Sequence, residues 1–471
     1  GKFGSYTSYR RQQAEGWQLS PYEENSKTHE LEETGKVAST GFYANTVNQK
    51  FTFDATDKLS FYARGGYYDN KTRRPYEAYD YNILHETFNY GIGAQYMINK
   101  GNYITADCYA DHFSSSYCFF KDNKTYNGKA GEEQVRKRTR NHNLSIKGIF
   151  KLGNRHKLSV GTEYIVDVLK SQTDNIAKED AYTLALFAQD EIKLLRNLQA
   201  LIGVRYIYHE NFKNHATPNV ALMYKPGKFN FRASYAAGFR TPTLSELYAT
   251  DIAKKNDRLT IGNLDLKSEK NNYFSLSAEY VHERFSVSVN AFYNNIRDMI
   301  DYNTIATGDK AMEQYGHKEV RQRDNIAEAK VHGINVSANA YLGAGFNLSG
   351  GYTHLNTQDV ELEQPIDKSI KNAYNINAQW AHSWKIYRLN INLNGRFNSK
   401  RFSKSYGYAP EYQLWDLNTR HSFNLKSVII EPGCGMENLF DYMDDRPYNS
   451  NYATLTPGRS FYISLSLKFK S

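Results

Sequence analysis

Apolar and polar side chains alternate one by one over long stretches of this chain. Phe461, Ile463, Leu465, Leu467 and Phe469 interleave with Tyr462, Ser464, Ser466 and Lys468. Phe285, Val287, Val289, Ala291 and Tyr293 interleave with Ser286, Ser288, Asn290, Phe292 and Asn294, and Leu389, Ile391 and Leu393 with Asn390, Asn392 and Asn394. A period of two sends successive side chains to opposite faces, so these segments are strands with one greasy and one wet face. A soluble sandwich can carry that pattern as well as a membrane wall. Connection length separates the two. Short turns such as Thr56-Asp57-Lys58, Lys100-Gly101-Asn102, Asn154-Arg155-His156, Ala344-Gly345 and Lys426-Ser427 alternate with long connections over 19–36, 77–84, 125–135, 245–270, 304–324, 358–371 and 441–458. Transmembrane β-barrels alternate in this way, with tight turns on the periplasmic side and long loops outside. The expected fold is all-β: a transmembrane antiparallel barrel of about 20 visible strands. The first covers about residues 3–14 and runs outward; the last ends at Phe469 and runs toward the periplasm.

Composition supports a wall that is wet on one side only. Mean hydropathy is −0.70, and no window holds the roughly 20 apolar residues that a spanning helix needs. Yet 39 Tyr and 25 Phe stand in 471 residues, a load that aromatic girdles at both lipid boundaries explain. Trp380, His382 and Trp384 share one strand face beside a short turn and are expected in the periplasmic girdle, with His382 facing lipid rather than a ligand. The net charge of +9 is scattered apart from Arg136-Lys137-Arg138-Thr139-Arg140, read as a solvated strand end or a charge facing lipopolysaccharide; no motif supports nucleic-acid binding.

Nothing in the sequence points to catalysis. It has no phosphate-binding glycine loop, no GxSxG and no zinc signature, so neither an enzyme, a resident cofactor nor a metal is expected. Cys108 and Cys118 fall in one strand about 33 Å apart, too far to bridge, and Cys434 is isolated. No signal peptide is visible, and the chain opens Gly1-Lys2-Phe3-Gly4.

Four stretches, in order, resemble TonB-dependent outer-membrane receptors. Ala236-Ala237-Gly238-Phe239-Arg240-Thr241-Pro242-Thr243-Leu244-Ser245-Glu246-Leu247-Tyr248 is similar to the family's GFRxPxxxELY box. Gly262-Asn263-Leu264-Asp265-Leu266-Lys267-Ser268-Glu269-Lys270 is similar to its NPNLxPEK box, with Gly262-Asn263 where Asn-Pro is usual. Glu437-Asn438-Leu439-Phe440-Asp441 resembles the NLFD box, and Gly458 through Phe469 resembles the terminal assembly strand, departing from it in the trailing Lys470-Ser471. The resemblance covers essentially residues 1–471. It implies a 22-stranded barrel of which the first hairpin and the amino-terminal plug are not in this chain.

The resemblance also implies function: active import of a scarce nutrient across the bacterial outer membrane. The partners it implies are the TonB complex, reached through an amino-terminal region outside this chain, outer-membrane lipid and lipopolysaccharide, a small-molecule ligand, and a surface lipoprotein lid. Haem, a ferric siderophore and cobalamin all remain open as cargo; the alternative class is a passive channel. The FRTP and GNLDL boxes are similar to those that flank a haem-binding His in haem receptors, but no His lies between Phe239 and Leu266. If haem is the cargo, the axial candidate is His317 in the connection 304–324, beside Tyr315 and near Met312. His85, near Tyr79 and Tyr81, is a second candidate, and His215, placed in a loop after Phe212, a third. Tyr442, Tyr448 and Tyr452, with Asp444, Asp445 and Arg446, form a last loop that can close over a ligand or pack among themselves.

Overall fold

The computed structural model describes residues 1–25, 28–253, 257–448 and 450–469. Its sheet contains 22 strands, of which Thr250–Ala253 and Arg258–Ile261 form a side hairpin, leaving twenty in the wall. The wall begins at Phe3–Ala14 and Gly41–Asp54 and ends at Val428–Glu437 and Ser460–Phe469. Each wall strand pairs antiparallel with the next, so the sheet is a meander. The strand expected at about 3–14 lies where the alternation placed it.

Two-residue periodicity sorts the side chains. On one face stand Ile202, Val220, Leu222, Phe231, Phe274, Leu276, Val289 and Ile463, all large apolar groups left in the open. Left against water, an area this size would be an aggregation surface; against hydrocarbon it costs nothing. The other face is knitted by polar pairs. Ser234 and Ser275 hydroxyls meet at 2.6 Å, Ser288 and Ser337 at 2.7 Å, and Arg205 reaches Glu163 at 2.5 Å. Ladder bonds satisfy the backbone between strands, which lets a sheet lie in lipid at all. No helix among the described residues is long and apolar enough to cross a membrane; the strands are the crossing elements.

The rings expected to share one face do so beside the turn at Lys385. Trp380, His382 and Trp384 form one file of rings, His382 lying 6.0 Å from Trp380 and 4.3 Å from Trp384, and Tyr387 stacks on Trp384 at 5.6 Å. The Trp380 indole donates to the Ala344 carbonyl at 3.1 Å. Cys108, Cys118 and Cys434 are free thiols.

Strand length departs from expectation on one side of the wall. Phe285–Thr307 has 23 residues and Glu319–Gly343 has 25. At about 3.3 Å per residue the longer spans about 80 Å, against about 30 Å of hydrocarbon. The stretch 304–324, read from sequence as a loop, is instead the top of this hairpin, closed by the helix Gly308–Tyr315. The described residues of the stretch 245–270 likewise form the helix Leu244–Tyr248 and the strands Thr250–Ala253 and Arg258–Ile261 of the side hairpin. Arg258–Ile261 pairs in parallel with Glu319–Gln322, so the two form one crown. Leu259, Ala311 and Val320 give it a small core of its own.

The ends of the sheet approach each other through their loops. The Trp17 indole donates to the Leu455 carbonyl at 3.1 Å, the Leu19 amide donates to the Tyr448 hydroxyl at 3.2 Å, and Glu23 bridges Tyr448 in parallel. Among the described residues no ladder register joins Ser460–Phe469 to Phe3–Ala14. Both edges stand open, with Ile463 89% and Phe469 81% exposed.

Candidate functional site

The sequence boxes that carry the family resemblance prove to be joinery. Arg240 ends its strand and grips two carboxylates. Its Nη1 and Nη2 donate to Glu246 at 2.8 and 3.2 Å, and its Nε and Nη2 to Glu269 at 2.8 and 2.6 Å. Thr243 caps the following helix reciprocally with Glu246, which fixes where the chain turns. Burial raises the Glu246 carboxyl pKa, but hydrogen bonds from Arg240 and Thr243 outweigh it and hold the group below its usual range. Phe239 stacks on His215 at 4.3 Å, and His215 in turn meets the Ser268 hydroxyl at 3.4 Å. His215 therefore lies in the strand Lys213–Tyr224 rather than in a loop. Thr241 and Pro242 form the bend between strand and helix.

Asn263 closes the second half of the joint. Its amide donates to the Glu246 carbonyl at 3.0 Å, and its side chain donates to the Arg323 carbonyl at 3.0 Å. Leu264 points outward, 67% exposed, while Leu266 is buried against Leu247 and Ile300. Gly262 is the only residue type that fits its place: a Cβ there would sit 2.5 Å from the Leu247 carbonyl oxygen. That close backbone approach accounts for the departure from the usual Asn-Pro.

The third box is a turn. Asn438 is buried, adopts φ 52° and uses its side chain to accept from the Tyr442 amide at 2.9 Å and donate to the Tyr442 carbonyl at 2.7 Å. The Leu439 amide donates to the Trp415 carbonyl at 2.6 Å, Phe440 lies edge-on to Trp415 at 6.3 Å, and Asp441 accepts from the Arg459 amide at 2.7 Å, which aims the terminal strand Ser460–Phe469. Asn tolerates the left-handed region and Ala does not, so Asn438→Ala should lose about 2 kcal/mol from strain and lost bonds together. Urea unfolding of the receptor from lipid vesicles measures this; an unchanged midpoint contradicts it.

The expected ligand residues do not converge. His317 follows the Gly308–Tyr315 helix, with its Nδ1 paired to Asp257 Oδ1 at 2.9 Å. Tyr315 packs on the crown core, and Met312 is 44% exposed on the same helix. His85 stands on a distant strand, its ring 5.6 Å from Phe113. Tyr448 is occupied with Leu19 and Glu24, and Tyr442 stacks on Tyr412 at 6.0 Å.

What does converge is a band of arginines and tyrosines, of which the sequence had singled out Tyr81, with Tyr79, but not the arginines as a binding group. Arg74 lies 3.7 Å over the Tyr79 ring and 4.9 Å from Tyr81. Tyr81 stacks on Tyr117 at 4.1 Å, and Tyr126 stands edge-on to Tyr117 at 5.2 Å. Arg136 reaches both Tyr117 and Tyr126, at 5.3 and 5.0 Å. Burial, followed by the neighbouring Tyr81, pushes the Tyr126 hydroxyl pKa up. Arg136 donates to Gln172 at 2.9 Å, Lys137 faces Asp174 at 3.7 Å, and Ser245 donates to Asp174 at 3.1 Å. Beyond Asp174 a polar cavity of about 160 Å³ is lined by Arg258, Arg321, Arg323, Tyr302 and Asp251. Arg323 lies 3.6 Å over Tyr302 and donates to its hydroxyl at 2.6 Å. Burial, then the charge of Asp174, pushes the Asp251 carboxyl pKa up. Arg74 Nη1, Arg136 Nε and Arg258 Nε are buried with no hydrogen-bond partner. Buried N–H groups are rarely left unmade, and a planar guanidinium is well matched to anionic oxygens and stacked rings. The legible signal was the spacing of Arg321 and Arg323, two apart and thus on one strand face.

Comparison with known proteins places this geometry. Residues 3–438 match the family described as TonB dependent receptor-like, beta-barrel. A curated relative, the ferric enterobactin receptor of Pseudomonas aeruginosa, is 23% identical over 371 residues; the match takes 68% of this chain and 49% of the relative, so the chain spans about half the length of that protein. A crystal structure of a mutant of the same Pseudomonas aeruginosa receptor superposes with a TM-score of 0.82 at 15% identity, covering 99% of this chain and 76% of that one. The siderophore receptor PirA of Acinetobacter baumannii superposes at 0.74 with 15% identity, covering 98% and 75%. The FrpB iron transporter of Neisseria meningitidis also superposes at 0.74, with 14% identity, covering 99% and 76%. This chain belongs to the TonB-dependent receptor β-barrel family of the bacterial outer membrane, crossing it with strands.

Proposed function

We propose that this barrel is the wall of a receptor that captures an anionic iron complex outside the cell and imports it with energy from TonB. The observation that carries the reading is the band of Arg74, Arg136 and Arg258, each with a buried, unpartnered N–H, set among stacked tyrosines. Aromatic faces and arginine forks suit a ligand made of planar anionic rings, so a catecholate ferric siderophore fits better than haem or cobalamin. The 160 Å³ cavity holds one such ring rather than a whole ligand, since drug-sized sites need about 300 Å³ or more. Two of the relatives are named as receptors for ferric enterobactin or a siderophore, which supports this reading.

The open edges of Phe3–Ala14 and Ser460–Phe469 bear on organisation. An unpaired strand edge in hydrocarbon leaves a row of backbone groups unsatisfied, each costing several kcal/mol on the order of a lost hydrogen bond. We infer that two further strands complete the wall and that a plug domain fills its lumen. The receptor is a transporter and not an enzyme on this reading.

Titration of the complete purified receptor separates the cargoes. Ferric tris-catecholate should quench its intrinsic fluorescence at nanomolar concentration, while hemin and cyanocobalamin should bind at least tenfold more weakly. Radio-iron uptake from that complex should stop in cells lacking TonB. Tighter binding of hemin, with a Soret shift lost in His317→Ala, would instead establish the haem reading.

A further inference from the structure

The polar face of the wall changes character along the sheet. Five neighbouring strands, Glu269–Val281, Phe285–Thr307, Glu319–Gly343, Phe346–Asp359 and Asn372–Trp384, turn almost no charge toward it. Below the crown the side chains there are serine, asparagine, threonine, glutamine, glycine and alanine, broken by a few apolar and aromatic groups. They satisfy one another. Besides the serine pairs already described, Asn271 donates to Asn294 at 3.0 Å, Thr353 to Asn335 at 2.9 Å and Asn377 to Asn392 at 2.7 Å. The charged residues on this face stand at strand ends and are engaged. Glu269 is held by Arg240, Glu279 accepts from Asn230 at 2.7 Å, and Asp359 accepts from the Glu361 and Leu362 amides at 3.2 and 3.1 Å.

The strands from Gly41–Asp54 to Leu198–His209 are the opposite case. Their polar face carries Lys50, Arg64, Asp107, Lys147, Glu163 and Arg205, with further charges toward both ends. Arg205 holds Glu163, Lys157 holds Glu191 at 3.1 Å, and Arg64 lies 5.0 Å over the Tyr109 ring. Asp107, Asp111 and Asp167 accept from Tyr62, Tyr109 and Asn141. Lys147, Lys151 and Lys193 form no ion pair among the described residues. Arg232, on the strand Phe229–Arg240, meets only the Met223 sulfur, at 3.4 Å.

We propose that the passage for the incoming iron complex opens along the uncharged sector, while the charged sector anchors the plug. This rests on the reading of the chain as the wall of a plugged importer. Hydrogen bonds to charged groups are about twice as strong as neutral ones, so a packed domain is gripped on the charged side and held weakly on the other. A pull frees the weakly held side first. The same sector suits a moving anion. A cation on the path would detain it and a carboxylate would repel it, whereas many weak neutral contacts let it enter and leave. Short side chains also leave room for the complex and its water.

Cysteine accessibility in living cells tests the path. The complete receptor, with Cys108, Cys118 and Cys434 replaced by serine, receives one cysteine at a time at the fourth residue of a strand that leaves a short turn. Ser288→Cys and Ser349→Cys report the uncharged sector, Thr105→Cys and Ser159→Cys the charged one. Cells are given ferric tris-catecholate and an anionic, membrane-impermeant thiol reagent from outside. With ligand and TonB both present, the first pair should be labelled about tenfold faster, as the open state rises from a minor population. The second pair should not change. Asn335→Arg should slow radio-iron uptake about tenfold while binding from outside holds, because a charged hydrogen bond detains the anion. Asn335→Gln, uncharged, should slow it far less. Heat-dependent gel migration checks that each variant is folded. Equal labelling of the two sectors, faster labelling of the charged one, no labelling at any of the four positions, or full uptake by Asn335→Arg overturns the path. Uptake that persists without TonB in the parent receptor sinks the importer reading itself.

Discussion

Replacing Arg258, Arg321 and Arg323 with alanine should abolish tight binding of a ferric tris-catecholate while leaving the barrel folded. A hydrogen bond to a charged group contributes about 1.5–3 kcal/mol, and each 1.4 kcal/mol is tenfold in affinity. Each single substitution should therefore weaken binding by about tenfold to a hundredfold. The triple variant should lose about three orders of magnitude or more, less than additive because the three guanidiniums share one cavity. Fluorescence titration reads the loss, and the urea midpoint should not move. If Arg323 acts only by stacking on Tyr302, Arg323→Lys will bind as tightly as wild type; a tenfold loss in that variant marks the fork as the working part.

Arg240→Ala should produce the largest structural effect of any single substitution in the crown. The guanidinium is 42% exposed, but its two carboxylates are only 14% and 16% exposed. Removing it leaves Glu246 and Glu269 close together and uncompensated. Breaking a buried pair costs about 3–5 kcal/mol, and partial exposure puts this one near the lower end, about 3 kcal/mol. Hydrogen exchange should accelerate over residues 243–253 and 257–262 and hardly at all in the wall. Arg240→Lys should recover only part of the loss, because an ammonium cannot hold two carboxylates bidentately. Acid should mimic the mutation. The Glu246 pKa is lowered in the folded crown, so its contribution is complete above its ordinary value of 4.5 and drains away as pH falls through the folded value. Protection over the same residues should therefore hold at pH 6 and fail in strong acid. A pH-independent exchange rate refutes the assignment.

The wall was legible because its rule is local. Residue i and residue i+2 share a fate, and stretches such as Phe285–Tyr293 and Phe461–Phe469 announce it without help from distant sequence. The crown was not, for two reasons. Register shifts between Ile296 and Met299 and between Thr304 and Ala306 reset the alternation, so a continuing strand reads as a loop. Its core is also assembled from single apolar residues scattered over two connections, with Leu259 meeting Ala311 and Val320 only once folded. The candidate site suffered the same fate. Histidines drew notice because imidazole chemistry is conspicuous in a sequence, whereas the arginines became meaningful only when the bulge at Arg136 and the parallel pairing of Arg258–Ile261 brought them beside rings. The boxes that identified the family are structural: Arg240, Asn263 and Asn438 hold turns beside the proposed binding surface.

The hairpin that rises past the bilayer carries one more implication. Over half of its length stands clear of hydrocarbon, and it is steadied up there by its own miniature core. Such a spire can be clipped, decorated or swapped by selection without disturbing the embedded wall below. Its Gly308–Tyr315 cap stands only a few residues from Arg321 and Arg323, so the tip can vary only as far as those two arginines keep their places.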